Sequence, residues 1–229
     1  MSNNLGESKD VFYFDACGQV NTRKTLKLAI QKACELNVKK MVVASETGLS
    51  ALKATELIKD SGISLIVVTS AAGTKIENTV IGNLKIGISN KEIWNQLEKN
   101  GAQIVRATDP LYNIEASLEQ NGVPTLATLV RLCLRIISSG TAVCVSATMM
   151  ATDNGALREG EEIVAVAGSW VGLDTALVLQ AANSVNFFKK GAIQINEIIC
   201  KPRSPVYSWP INQKDWIGDL KLYKEFAEP

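Results

Sequence analysis

The sequence contains no histidine. That removes the commonest general base and the commonest neutral nitrogen ligand for metals. A Ser-His-Asp or Cys-His hydrolase is therefore excluded, and a catalytic zinc site is disfavoured. Cysteine is scarce and irregularly spaced: Cys17, Cys34, Cys133, Cys144 and Cys200 form no CxxC pair and are odd in number. They read as reduced thiols, not as a disulfide framework. Cys34, Cys133 and Cys144 lie in apolar patterns and are expected in the core. Charge of one sign is also lacking. Lys and Arg number 24 against 23 Asp and Glu, for a net charge of +1. With no basic block, there is no electrostatic case for nucleic acid or an anionic membrane as partner. No apolar run approaches the roughly 18 residues of a membrane span. The opening MSNNLGESKD lacks the apolar centre of a signal peptide. A cytoplasmic location is the expectation.

What is present is the pattern of an α/β chain. The 229 residues suffice for one large domain. Asn21-Thr22 reads as a helix start, followed by apolar residues at helical spacing at Leu26, Ile30, Ala33 and Leu36. MVVAS reads as a buried strand, the stretch from Leu49 to Lys59 as a helix, and SLIVVT as the next strand. This order predicts a right-handed parallel crossover. Ile76 to Ser89 is an excursion with weak strands. KEIWNQLEKNG is a helix ended by Gly101, and AQIVRAT is a strand. Pro124 opens a long amphipathic helix, TLATLVRLCLRIISSG. AVCVSA, EIVAVAG, ALVLQA and IQINEIIC complete the expected strands. The fold class is therefore α/β, a three-layer α/β/α arrangement with a mostly parallel sheet. Residues 21–201 are expected to form the domain, residues 1–20 an N-terminal extension, and residues 202–229 an extended arm. That arm carries two tryptophans and points to a homo-oligomer.

In open parallel sheets, ligands sit beyond the carboxyl ends of the strands. Five stretches read as loops of that kind: DACGQVNT, ASETGLSA, TSAAGT, ATMMATDNG and AGSWVGLDTA. In ASETGLSA, Gly48 would let the backbone approach a phosphate. The first helical turn offers free N–H groups, and Ser45, Thr47 and Ser50 add hydroxyls. Ser and Thr are equally good helix caps with no ligand at all, so the pattern alone leaves the two readings level. Lys53 and Lys75 are candidate phosphate counter-charges. In AGSWVGLDTA, Gly168 and Gly172 give a flexible loop, Ser169 and Thr175 are donors, and Asp174 is an acceptor. Trp170 either stacks on a planar ligand or packs on the C-terminal arm or a partner. Asn21 and Thr22 offer a second helix N-terminus.

SETGLSALKATELIKDSGISLIVVT resembles the C-terminal domain of pyruvate kinase, where a Thr/Ser-Gly-x-Ser/Thr loop holds a phosphate of a sugar-bisphosphate activator. The chain has no room for the catalytic barrel of about 250 residues that accompanies this domain in pyruvate kinase. NTRKTL, VVASETGLSALKA, VVTSAAG, ATDNG and GSWVGLDTA together resemble a family of stand-alone proteins with this domain, some similar to FMN-binding proteins. The resemblance tips ASETGLSA towards phosphate. It implies Thr47, Gly48, Leu49 and Ser50 at the phosphate. Gly168, Ser169, Gly172, Asp174 and Thr175 would lie nearer the rest of the ligand. Asn21, Thr22, Ser45 and Thr69 complete the implied ligand-binding set. The chain departs from the family where histidines usually stand, with Ser70-Ala71 and Thr108-Asp109 in their place. Three readings follow: an FMN-binding protein, a non-catalytic sensor of a phosphorylated metabolite, or an interaction protein with a vacant ancestral pocket. No pyruvate kinase activity is expected.

Overall fold

A computed structural model describes residues 6–79, 81–112, 114–123, 125–205 and 218–228. The first half runs β1 (Phe12–Phe14), α1 (Thr22–Glu35), β2 (Lys40–Ala44), α2 (Leu49–Leu57), β3 (Ser64–Thr69), a hairpin of β4 (Lys75–Thr79) and β5 (Gly82–Lys85), α3 (Lys91–Lys99) and β6 (Gln103–Arg106). The second half runs α4 (Ile114–Gln120), α5 (Leu126–Arg135), α6 (Ser139–Asp153), β7 (Glu162–Ala167), β8 (Thr175–Gln180) and β9 (Gln194–Pro202). A 3-10 turn at Leu220–Phe226 and β10 (Ala227–Glu228) close it.

The main sheet has the order β1-β9-β8-β7-β2-β3-β6. Its pairings are parallel except for β8, which runs antiparallel to both neighbours. The central strands read as unbroken apolar runs because both faces are covered. Met41 and Val43 of β2 point into one core with Leu26 of α1, Ala51 of α2 and Leu97 of α3. Val42 points into the other, with Cys144, Ala147 and Ala151 of α6. The result is the expected three-layer α/β/α fold. A small second sheet, β10-β5-β4, caps the α1 to α3 side, where Tyr223 and Phe226 join the first core.

The structure corrects the sequence reading at α6. AVCVSA was expected as a strand and ATMMATDNG as a strand-end loop, yet both fall within this helix as far as Asp153. Nearly every residue of α6 is buried. A helix buried all round shows no amphipathic stripe, and a short apolar run cannot separate it from a strand. Asp153 accepts a hydrogen bond from the Ser184 N–H at 2.9 Å. The helix expected to run through TLATLVRLCLRIISSG breaks after Arg135, and Ser138 caps a new helix by accepting from Thr141 N. Pro124, Pro210 and the two tail tryptophans, Trp209 and Trp216, lie outside the described residues. All five cysteines are reduced thiols. Cys34 and Cys133 are exposed and not in the core, while Cys17, Cys144 and Cys200 are buried. Periodicity placed Cys34 and Cys133 on helices that pack by one face only, and they fall on the other. Among the described residues no helix is long and apolar enough to cross a membrane.

Candidate functional site

β2 and β7 are adjacent and parallel, and the chain leaves them in opposite directions, to α2 from one and to β8 from the other. That is a topological switch point, where the strand ends leave a crevice. The loops 45–48 and 168–174 rise from it.

The first loop is built to aim α2. The Ser45 N–H donates to Val68 O at 2.9 Å, extending the ladder one residue beyond β2. Ser45 Oγ turns back and accepts from Ala51 N at 3.4 Å, inside the first turn of α2. Gly48, at φ 89°, makes the left-handed step into the helix, and a Cβ there would lie 2.4 Å from Ile93 Cγ2. Among the described residues the N–H groups of Leu49 and Ser50 take no acceptor, so the positive end of α2 stays open. Ser45 and Thr47 are both buried. Glu46 faces away from the helix. Its carboxylate accepts from Thr69 Oγ1 at 3.0 Å, Ser70 N at 3.1 Å, Ser70 Oγ at 2.7 Å and Gly87 N at 3.3 Å. Thr69 is therefore engaged with Glu46.

The second loop holds the start of α1. Asp174 is fully buried, and its carboxylate accepts from Gly18 N at 3.1 Å, Ser169 N at 3.2 Å and Thr175 Oγ1 at 3.1 Å. Burial raises its pKa above the ordinary aspartate value, against the opposing effect of hydrogen bonds from Ser169, Gly18 and Thr175. Thr22 Oγ1 accepts from Leu173 N at 3.0 Å. Gly172, at φ 83°, brings its backbone against α1, since a Cβ there would sit 2.3 Å from Gln19 Cα. Gly168 packs as closely, its Cβ position being 2.1 Å from Gly172 O. Asn21 does not cap α1 with its side chain; its Nδ2 donates to Ala16 O at 2.7 Å and closes the preceding loop. Trp170 is half-buried and packs against the core that contains Tyr223 and Phe226.

Between the starts of α1 and α2 lies a cleft of about 540 Å³. One wall is Gln19, Val20, Thr22 and Arg23, the other Leu49, Ser50 and Lys53. The C-terminal segment supplies Leu222, Tyr223 and Glu225. Gln19 ties that segment down, accepting from Asp219 N at 2.8 Å and approaching Tyr223 Oη at 3.5 Å. Burial pushes the Tyr223 phenol up to about 12. Of the residues singled out from sequence, Thr22, Leu49, Ser50 and Lys53 line this cleft. Gly168, Ser169, Gly172, Asp174 and Thr175 do not line it; they buttress the α1 wall. Lys75 sits on β4, away from it. Gln19 and Val20 stand in the DACGQVNT stretch but were not singled out, and Arg23 and the three C-terminal residues were missed. Arg23 had a signal, being a cation one residue inside a helix start, in NTRKTL. The C-terminal residues had none, because their place depends on a return of the chain that no local pattern encodes.

Chemically, the cleft offers two cations, Arg23 and Lys53, an open helix N-terminus and the Ser50 hydroxyl. Val20, Leu49, Leu222 and the Tyr223 ring add an apolar side. A family model described as pyruvate kinase, alpha/beta domain matches residues 23–179, which takes in Arg23, both switch-point loops and the strands between them. The match covers well over half of the chain, and the protein belongs to the pyruvate kinase alpha/beta domain family.

Proposed function

We propose that this protein binds FMN in the α1/α2 cleft, with the phosphate at the first turn of α2. The observation that carries the reading is the convergence of Arg23, Lys53, Ser50 and the open N–H groups of Leu49 and Ser50 on one concavity. A helix N-terminus with hydroxyl and cationic neighbours is a ready anion site. The cleft volume falls within the roughly 300–1,000 Å³ typical of small-molecule pockets. Val20, Leu222 and Tyr223 suit a flat apolar ring, and Gln19 and Thr22 suit a hydroxylated chain. Glu225 sets a limit, because a second phosphate on its side of the cleft would meet like charge. Bound FMN would supply redox chemistry, and the protein's residues would hold and orient it.

The test is retention of FMN by the purified protein after desalting, read by visible absorbance and by quenching of flavin fluorescence. Riboflavin serves as the phosphate-free comparison. Arg23→Glu and Lys53→Glu should each weaken FMN about tenfold or more, a charge effect of about 1.4 kcal/mol, and leave riboflavin nearly unchanged. Equal binding of FMN and riboflavin would remove the phosphate from the reading. A protein that ignores both flavins but is stabilised by a sugar phosphate would favour a metabolite sensor.

A further inference from the structure

α5 is apolar on two sides. Ala127, Val130 and Leu134 pack against the cluster that holds Val145 and Met149 of α6. Leu126, Leu129, Leu132 and Ile136 recur at the same helical spacing on the far side and are exposed. The polar side is narrow. Arg131 is bound to Glu119 at 2.9 Å and lies over the Tyr112 ring at 4.3 Å, so its charge is already used. A second apolar face on a helix calls for cover, yet among the described residues nothing covers this one. Ile114, Leu118 and Val123, from α4 and the turn after it, are also bare, and these seven side chains are exposed by 44% to 72%.

We infer that the outward face of α4 and α5 is an interface between two copies of this chain. Three features choose that occupant. First, seven large apolar side chains, each exposed by 44% to 72%, stand on these two helices and the turn between them. Lone monomers rarely expose apolar patches beyond a few hundred Å² without a use, and a standard interface takes roughly 800 Å² from each partner. Second, one ridge at three- and four-residue spacing fits the groove beside an identical ridge, and a two-fold axis satisfies both copies at once. Third, a lipid surface would need a fringe of free cations beside the stripe. Of the two cations on α5, Arg131 is spent on Glu119 and Arg135 is partly buried, and the whole chain carries a net charge of only +1. Cys133 lies on the same outward side of α5 and is exposed in the single chain, so it reports on the contact.

Sedimentation velocity of the full chain should show a dimer. Leu129→Glu combined with Ile136→Glu should give a monomer with unchanged far-UV circular dichroism, because both positions are exposed. Val185→Glu, an exposed apolar position on another element, should leave the dimer intact. In a Cys34→Ser background, maleimide labelling of Cys133 should slow several-fold as protein concentration rises through the dimer range. This second measurement needs no disruptive variant. A wild-type protein that stays monomeric at its highest soluble concentration overturns the inference. So does a dimer that survives the double glutamate, or a Cys133 labelling rate that ignores concentration.

Discussion

Replacing Asp174 separates two roles that a buried carboxylate combines. In Asp174→Ala, the Gly18 and Ser169 N–H groups lose their acceptor inside the protein. Each buried donor left unpaired costs about 1–3 kcal/mol. Thr175 keeps a neighbour in Ser138 Oγ at 3.1 Å and adds little. Removing a carboxylate whose burial is itself costly returns part of the loss, so the net destabilisation is about 3 kcal/mol. For a chain of 229 residues that lowers Tm by about 6–12 °C. Asp174→Asn should cost only about 1 kcal/mol. Its amide oxygen can accept from both N–H groups, its NH2 can donate to Thr175 Oγ1, and the threonine proton can turn to Ser138. The pH dependence follows from the raised pKa of Asp174. The folded chain binds that proton more tightly than the unfolded chain does. The residue's contribution is therefore full below the ordinary aspartate range and is lost as pH rises through the folded value. The stability gap between wild type and Asp174→Asn should narrow from acid towards neutral pH. Urea denaturation followed by tryptophan fluorescence at several pH values measures both effects. Equal stability of the Ala and Asn variants, or a gap that widens with pH, would refute the reasoning.

Gly172→Ala should cost more than about 3 kcal/mol, because its Cβ would strike the Gln19 backbone. Gly62→Ala, with φ 72° but open space around it, should cost only about 1 kcal/mol; equal losses by thermal melting would show that the contact is not tight. Glu46→Ala removes the acceptor shared by Thr69, Ser70 and Gly87 and should cost about 2–4 kcal/mol. Amide exchange should rise at Ser70 and Gly87 before it does in β2. Tyr223 should ionise late, near pH 12, in an ultraviolet titration, and Tyr223→Phe should delete that phase. Its contribution to stability is full below the ordinary tyrosine range and lost as pH climbs towards the folded value.

The central strands and the helices on the α1 to α3 face were legible because local pattern and packing agree there. In β2, Met41 and Val43 face one core and Val42 the other, so the run is apolar throughout and short enough to read as a strand. In α3, Asn90 caps the helix and Ile93 and Leu97 form a buried stripe. α6 was illegible for the opposite reason, since burial on every side erased its period. The glycine loops announced themselves, but their use was only half visible. Gly172 and Asp174 read in the sequence as ligand neighbours, and the contacts they make in the fold hold the start of α1, through Gln19, Thr22 and Gly18. A glycine needed for a close approach looks the same in sequence whether a ligand or a backbone approaches. Tyr223 and Arg23 line one cleft from opposite ends of the chain, and no spacing rule reaches that far.

The segment from Leu220 to Phe226 follows every strand of the main sheet in the order of synthesis. During translation the sheet and both helix starts can therefore close before this wall of the cleft exists. The domain has an early form in which α1 and α2 alone flank the cleft, and a finished form in which Leu222, Tyr223 and Glu225 add its last wall. Completion of the site is thus separable in time from completion of the fold. Damage to the tail should leave the main sheet paired and the cleft with only its α1 and α2 walls.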